Sequence, residues 1–136
     1  MGMIKENIDA INRNKDEIAG RVGVQPGEVL LVAVTKTRSA EEINEAIDAG
    51  ITDIGENKVQ EIMDKYDAVK PVRWHMIGHL QTNKVKYIID KVSMIHSVDS
   101  FKLAEEIDKR AAQRETVMDI LVQVNAAQEE SKFGIT

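Results

Sequence analysis

The chain's pattern predicts an α/β fold on a parallel sheet, and three observations predict it. Residues 29–35 form a continuous apolar run rich in β-branched side chains, which suits a strand buried on both faces. Short runs of that kind then alternate with helical segments, as βαβ units require. Helix signals fall between them: Ser39 opens a capping box with Glu42, and Gly50 stands where a helix ending at Ala49 needs its C′ residue.

Each element follows in order. Ile4, Ile8, Ile11, Ile18 and Val22 recur at helical spacing over residues 4–22. Pro26-Gly27 makes a turn before strand one at 29–35, and the capped helix runs to residue 49. Residues 51–55 are a short strand, 59–69 a helix, and 72–77 a strand. Residues 84–90 are a helix with Val85, Ile88 and Ile89 on its apolar side, and 92–98 a strand. Residues 100–114 form a helix facing inward with Leu103, Ala104, Ile107 and Ala111, and 117–124 a fifth strand. No linker or composition shift marks a second domain, so residues 1–136 read as one. An open doubly wound fold could close with five strands, whereas a (β/α)8 barrel would lack three; the pattern does not separate the two.

Composition narrows the function. Of 136 residues, 43% are hydrophobic and 30% charged, with a formal charge of −5. Basic side chains are interleaved with acidic ones, which argues against nucleic acid as a partner. The absence of cysteine removes disulfides, thiolate metal sites and a cysteine nucleophile. The first residues lack a basic-then-apolar secretion signal, Glu6 stands where a myristoylation motif wants Ser or Thr, and no apolar run could span a bilayer. A cytoplasmic protein with no membrane partner is the expectation.

Parallel α/β folds collect functional groups at the C-terminal ends of their strands. Here those ends carry Lys36, Gly55-Glu56-Asn57, His75 through Lys84, His96-Ser97-Val98-Asp99 and Gln123-Val124-Asn125. Lys36 reads two ways. A lysine after a strand is ordinarily solvated; yet Leu30, Val32, Val34 and Lys36 share one face by period-two alternation. An inward-facing position would desolvate the amine and favour its neutral, nucleophilic form. His75 and His79 are four apart, but Gly78 lies between them and the zincin glutamate is missing, so no metal is expected.

Taken together, these strand ends resemble the pyridoxal phosphate homeostasis protein family, the YggS and PROSC group. The matching pieces are Val32-Ala33-Val34-Thr35-Lys36-Thr37, Gly55-Glu56-Asn57, Trp74-His75-Met76-Ile77-Gly78-His79-Leu80-Gln81 and Asn83-Lys84. His96-Ser97-Val98-Asp99, Gln123-Val124-Asn125 and Glu130-Ser131-Lys132-Phe133-Gly134 follow in the same order and spacing. The resemblance implies a TIM-barrel-like fold of the alanine racemase N-terminal type, here a helix plus about five βα units of an incomplete barrel. It implies pyridoxal 5′-phosphate held as an internal aldimine on Lys36, with Asn57 on the cofactor side, His79 and Ser97 around the ring, and Lys132 as a second amine near the pocket. In the family the phosphate grip lies on the last βα loops, which would follow Thr136, so binding in this chain is expected to be weakened or lost.

Three functions follow from these readings. The first is a non-enzymatic protein of intracellular pyridoxal phosphate homeostasis. The second is a racemase-like enzyme, which the fold would equip with a tyrosine from a separate β-domain; Tyr66 and Tyr87 instead fall in expected helices. The third is a truncated or engineered partial barrel with weak or no cofactor binding. Five βα units leave strand edges open, so self-association through those edges is expected.

Overall fold

The computed structural model describes residues 2–127 and 133–135. Helix α1 (Gly2–Val22) leads through a 3-10 turn (Pro26–Glu28) into β1 (Ala33–Val34). Then follow α2 (Ala40–Asp48), β2 (Asp53–Glu56), α3 (Val59–Lys65), β3 (Arg73–Met76), a 3-10 turn (Thr82–Lys84), α4 (Val85–Ile88), β4 (Met94–Val98), α5 (Phe101–Gln113) and β5 (Asp119–Val122). All neighbouring strands are parallel, in the order β1-β2-β3-β4-β5.

That order decides between the two architectures the sequence pattern permits. A doubly wound sheet reverses its strand order at a switch point and carries helices on both faces. Here the order never reverses, and one hydrophobic cluster joins a single sheet face to the helices. Ile54, Trp74, Met76 and Ile95 of β2, β3 and β4 pack with Ile43, Ile62, Ile88, Leu103 and Ile107 of the helices. Each large aliphatic side chain so buried contributes roughly 1.5–3 kcal/mol. The winding is that of a TIM-like barrel, of which these five βα units form an incomplete arc.

Local signals account for the helix ends. Ser39 accepts from the Glu42 amide while the Glu42 carboxylate accepts from the Ser39 amide, the reciprocal capping box. At the other end Gly50 has φ +109°, and the Gly50 and Ile51 amides donate to the Ile47 and Ala46 carbonyls. This is a Schellman closure, for which glycine lacks the Cβ penalty.

Three expectations need correction. Strand one is only two residues long rather than the full run 29–35, because its ladder extends only where β2 lies alongside. Strand β1 is not buried on both faces: it is a sheet edge, and Val34 is exposed, as are Leu121 and Val122 at the other edge, β5. In α1, Ile8 is buried but Ile11, Ile18 and Val22 are exposed, since α1 packs on little beyond α2 and the first turn.

Candidate functional site

The sheet's two faces have different chemistry. Leu31, Ala33, Ile54, Trp74, Met76 and Ile95 point toward the helices, which places the alternate residues on the opposite, concave face. An ideal Cβ on Gly55 would lie 3.0 Å from Ile77 Cδ1 and 3.3 Å from Val32 Cγ1, so these two side chains close over the glycine on that face. Lys36 belongs to this concave face and is exposed, as is Val34. Lys36 thus lies on the inner face of the arc, but it is exposed there rather than desolvated, because the helices cover the other side of the sheet.

The backbone carrying Lys36 is held on both sides. Ala33 pairs with Ile54 and Val34 with Gly55, which sets Lys36 level with Asn57. The Thr35 amide donates to the Gly55 carbonyl at 3.0 Å, and Thr35 Oγ1 donates to Glu56 Oε2 at 2.6 Å. The Arg38 amide donates to the Thr35 carbonyl, closing a turn with Lys36 and Thr37 at its centre. Thr37 has φ +64°, left-handed for a β-branched residue, and its amide donates to Glu61 Oε2 at 2.9 Å.

Beneath that turn lies an ion cluster. Lys65 Nζ donates to Glu56 Oε2 at 2.9 Å, Glu61 Oε2 at 2.8 Å and the Thr35 carbonyl at 3.0 Å. Burial opposes the Lys65 charge, but the hydrogen bonds to Glu61 and Glu56 outweigh it and raise its pKa. Glu61 is held below the usual range by the bonds from Lys65 and from the Thr37 amide.

A second network crosses the concave face. Arg73 Nε and Nη2 donate to the two oxygens of Asp53 at 2.9 and 2.7 Å, and Thr52 Oγ1 donates to Oδ1 at 2.7 Å. His75 Nε2 lies 2.7 Å from Asp53 Oδ2, and His75 Nδ1 lies 2.8 Å from His96 Nε2. Burial works against ionising Asp53, yet these donors prevail and lower its pKa to about 2. An ionised Asp53 makes His75 Nε2 the donor of that bond. Burial, then the neighbouring His75, pushes the His96 pKa down.

Near the strand ends a cavity of about 560 Å³ opens between α3 and α4. Asn57, His79, Gln81, Lys58, Lys84, Met63 and Tyr87 contribute to its lining. His79 is fixed there by Asp99, with Nδ1 3.1 Å from Oδ2, and by Phe133, stacked at 3.8 Å between ring centroids. The cavity therefore brings together two residues singled out from sequence, Asn57 and His79. Lys36 follows β1 as Asn57 follows the neighbouring β2, but it is not part of the lining. Ser97 is buried, and its hydroxyl has no hydrogen-bond partner among the described residues. Lys132 lies outside the described residues.

Sequence reading passed over Asp53, Glu61 and Lys65. One signal was present: residues 53 and 56 place two carboxylates within a short strand next to Ile54, where a sheet interior demands partners for both.

Comparisons with known proteins agree with this architecture. The model of the alanine racemase N-terminal domain matches residues 7–136. The pyridoxal phosphate homeostasis protein of Aquifex aeolicus is 48% identical over 107 residues, covering 77% of this chain and 47% of the relative. The protein of the same name from Escherichia coli K12 is 35% identical over 140 residues, covering 99% of this chain and 60% of the relative. A crystal structure of an unknown protein from Bifidobacterium adolescentis superposes with a TM-score of 0.87 at 36% identity, covering 98% of this chain and 59% of that one. PipY of Synechococcus elongatus, solved with PLP bound, superposes at 0.74 with 33% identity, over 90% of this chain and 57% of that one. The chain thus spans about half to three-fifths of the length of these curated relatives. By its matched residues, its strand order and these superpositions, the chain belongs to the alanine racemase N-terminal domain family.

Proposed function

We propose that this chain is the Lys36-bearing portion of a non-catalytic, cytoplasmic protein of pyridoxal phosphate homeostasis, which holds the cofactor as a Schiff base on Lys36. The observation that carries the reading is the placement of Lys36. Its amine is exposed at the end of β1, level with Asn57, on a turn whose two flanking residues are both hydrogen-bonded. When bound, pyridoxal phosphate supplies an aldehyde that condenses with an amine and releases one water. The residues present fit the covalent end of such a ligand: a reachable amine after β1, with the Asn57 amide, the His79 ring and the cationic Lys58 and Lys84 around the cavity beyond β2 and β3. Asn57 and His79 would orient the ring. Ser97, a buried hydroxyl without a partner among the described residues, would donate from the same strand end. The relatives' names and the PLP-bound PipY support the same ligand. The net charge of −5 and the absence, among the described residues, of a helix long and apolar enough to cross a membrane fit a protein with neither nucleic-acid nor membrane partners.

Titration with pyridoxal phosphate tests the reading. A yellow absorbance band is expected in the parent chain and not in Lys36→Ala, and borohydride reduction should fix the adduct on the Lys36 peptide. A band of equal strength in Lys36→Ala would remove that residue from the site; no band in either would remove cofactor binding from this chain. Racemisation of an amino acid that disappears in Lys36→Ala would replace homeostasis with catalysis.

A further inference from the structure

We propose that Lys65 is a positioning residue for Lys36, acting through a cluster with Glu56 and Glu61 that holds the turn from which the reactive amine springs. The inference rests on the reading of Lys36 given above, and it adds a role for three residues outside the ligand-facing set.

An exposed lysine has a long flexible stem, so the protein controls its amine mainly by fixing the backbone beneath it. Around Lys36 that control is concentrated on one ammonium group. Lys65 Nζ has three donors, and three acceptors meet it: the Thr35 carbonyl, Glu56 and Glu61. Each acceptor also bears on the turn. Thr35 is the residue before Lys36, and its hydroxyl is bonded to Glu56. Glu61 accepts from the amide of Thr37, the residue after Lys36.

The turn is one that would not hold itself. Thr37 takes φ +64° at the third position of a turn closed by the Arg38 amide, a place that favours glycine or asparagine. A β-branched residue stays there only if its surroundings over-determine it. The bond from the Thr37 amide to Glu61 supplies that constraint, and Lys65 in turn fixes the Glu61 carboxylate. The cluster is sequestered enough to be rigid: the Glu56 side chain is fully buried and that of Lys65 only 13% exposed. Strand end β1, strand β2 and helix α3 are thereby tied at one point, directly behind the amine.

Four variants and two readouts test this. Lys65→Met removes the ammonium but leaves the buried Glu56 uncompensated and so risks the fold. Glu61→Ala removes the tie to Thr37 together with one of the three acceptors of Lys65, and leaves Glu56 and the Thr35 carbonyl to hold the ammonium. In both, the rate at which the pyridoxal phosphate band forms should fall on the order of tenfold or more, the scale of a misplaced reacting group. The Thr37 amide should lose its protection from hydrogen exchange. Lys65→Arg, which keeps charge and donors, should recover most of the rate. A core variant in α5, Ile107→Val, matched in melting temperature, should form the band at the parental rate. Band formation at the parental rate in Glu61→Ala, or equal slowing in Ile107→Val, would overturn the proposal. If the parent chain forms no band, the reading of Lys36 fails. The amide then decides the positioning separately: protection lost in Glu61→Ala supports a held turn, and protection retained overturns it.

Discussion

Gly78 shows how one missing side chain shapes the candidate site. An ideal Cβ at that position would lie 2.3 Å from the Asn57 carbonyl oxygen and 2.8 Å from its Cα, contacts with backbone that cannot swing aside. Glycine just beyond β3 is therefore what lets that loop press against the residue that follows β2. Gly78→Ala is expected to destabilise the chain by about 1–3 kcal/mol, the usual cost of overpacking. It should also displace Asn57, so that any pyridoxal phosphate band weakens more than the fall in melting temperature explains. Denaturant midpoints and band intensity measured on the same variant check both parts; a variant equal to the parent in each would show that the loop has room. Lys36→Ala should behave in the opposite way. Its side chain is exposed, so stability should change by no more than about 0.5 kcal/mol while the band disappears.

At the level of elements, three neighbouring strands are cross-linked by side-chain hydrogen bonds as well as by backbone ladders. Asp53 of β2 receives Arg73 and His75 of β3, and His75 meets His96 of β4. The pKa of Asp53 falls from 3.8 to about 2, so folding favours its ionised form. A carboxylate depressed on folding contributes stability that is complete above its unfolded value and is lost as pH falls through the folded one. The shift corresponds to about 2 kcal/mol, to be lost between roughly pH 4 and pH 2. Urea midpoints across that window should drop steeply in the parent and more gently in Asp53→Asn; identical slopes would take Asp53 out of the acid response. The sequence was uneven in what it disclosed about these elements. The capping box of Ser39 and Glu42, the closure at Gly50 and the inward stripe Leu103, Ile107 and Ala111 were legible because each depends on residues within a turn or two. Strand β1 was overread because an apolar run reports burial, whereas a ladder needs a neighbour. Lys36, Asn57 and His79 stood out as strand-end groups, but the partners of Glu56 did not. Thr35 is 21 residues away from it, and Lys65 projects from the far end of the next helix. Such pairings depend on strand order, which the pattern of apolar residues left open.

For the whole molecule, the consequence of an arc is two edges and an uncovered inner face. Among the described residues β1 pairs only with β2 and β5 only with β4, so each presents one unpaired row of amides and carbonyls, although residues 123–125 just beyond β5 are bridged to Ile135. Around β5, Val117, Leu121, Val122 and Val124 are exposed, and around β1 so are Val29, Leu30 and Val34. Edges flanked by apolar side chains pair readily with another chain, and within β5 only Asp119 sets a charge against a partner. The single hydrophobic cluster running from Ile8 to Ala111 supports reading the 136 residues as one cooperative unit, so thermal unfolding should follow one transition by near- and far-ultraviolet circular dichroism alike. Before that transition, we expect the folded chain to self-associate through β1 and β5, and the state should depend on concentration. Sedimentation velocity at high micromolar protein should show dimers or larger species. Val122→Lys, which sets a charge on the exposed β5 edge, should shift the distribution toward monomer without lowering the melting temperature of dilute samples. A parent chain that stays monomeric at that concentration would mean that the open edges are protected by their own geometry.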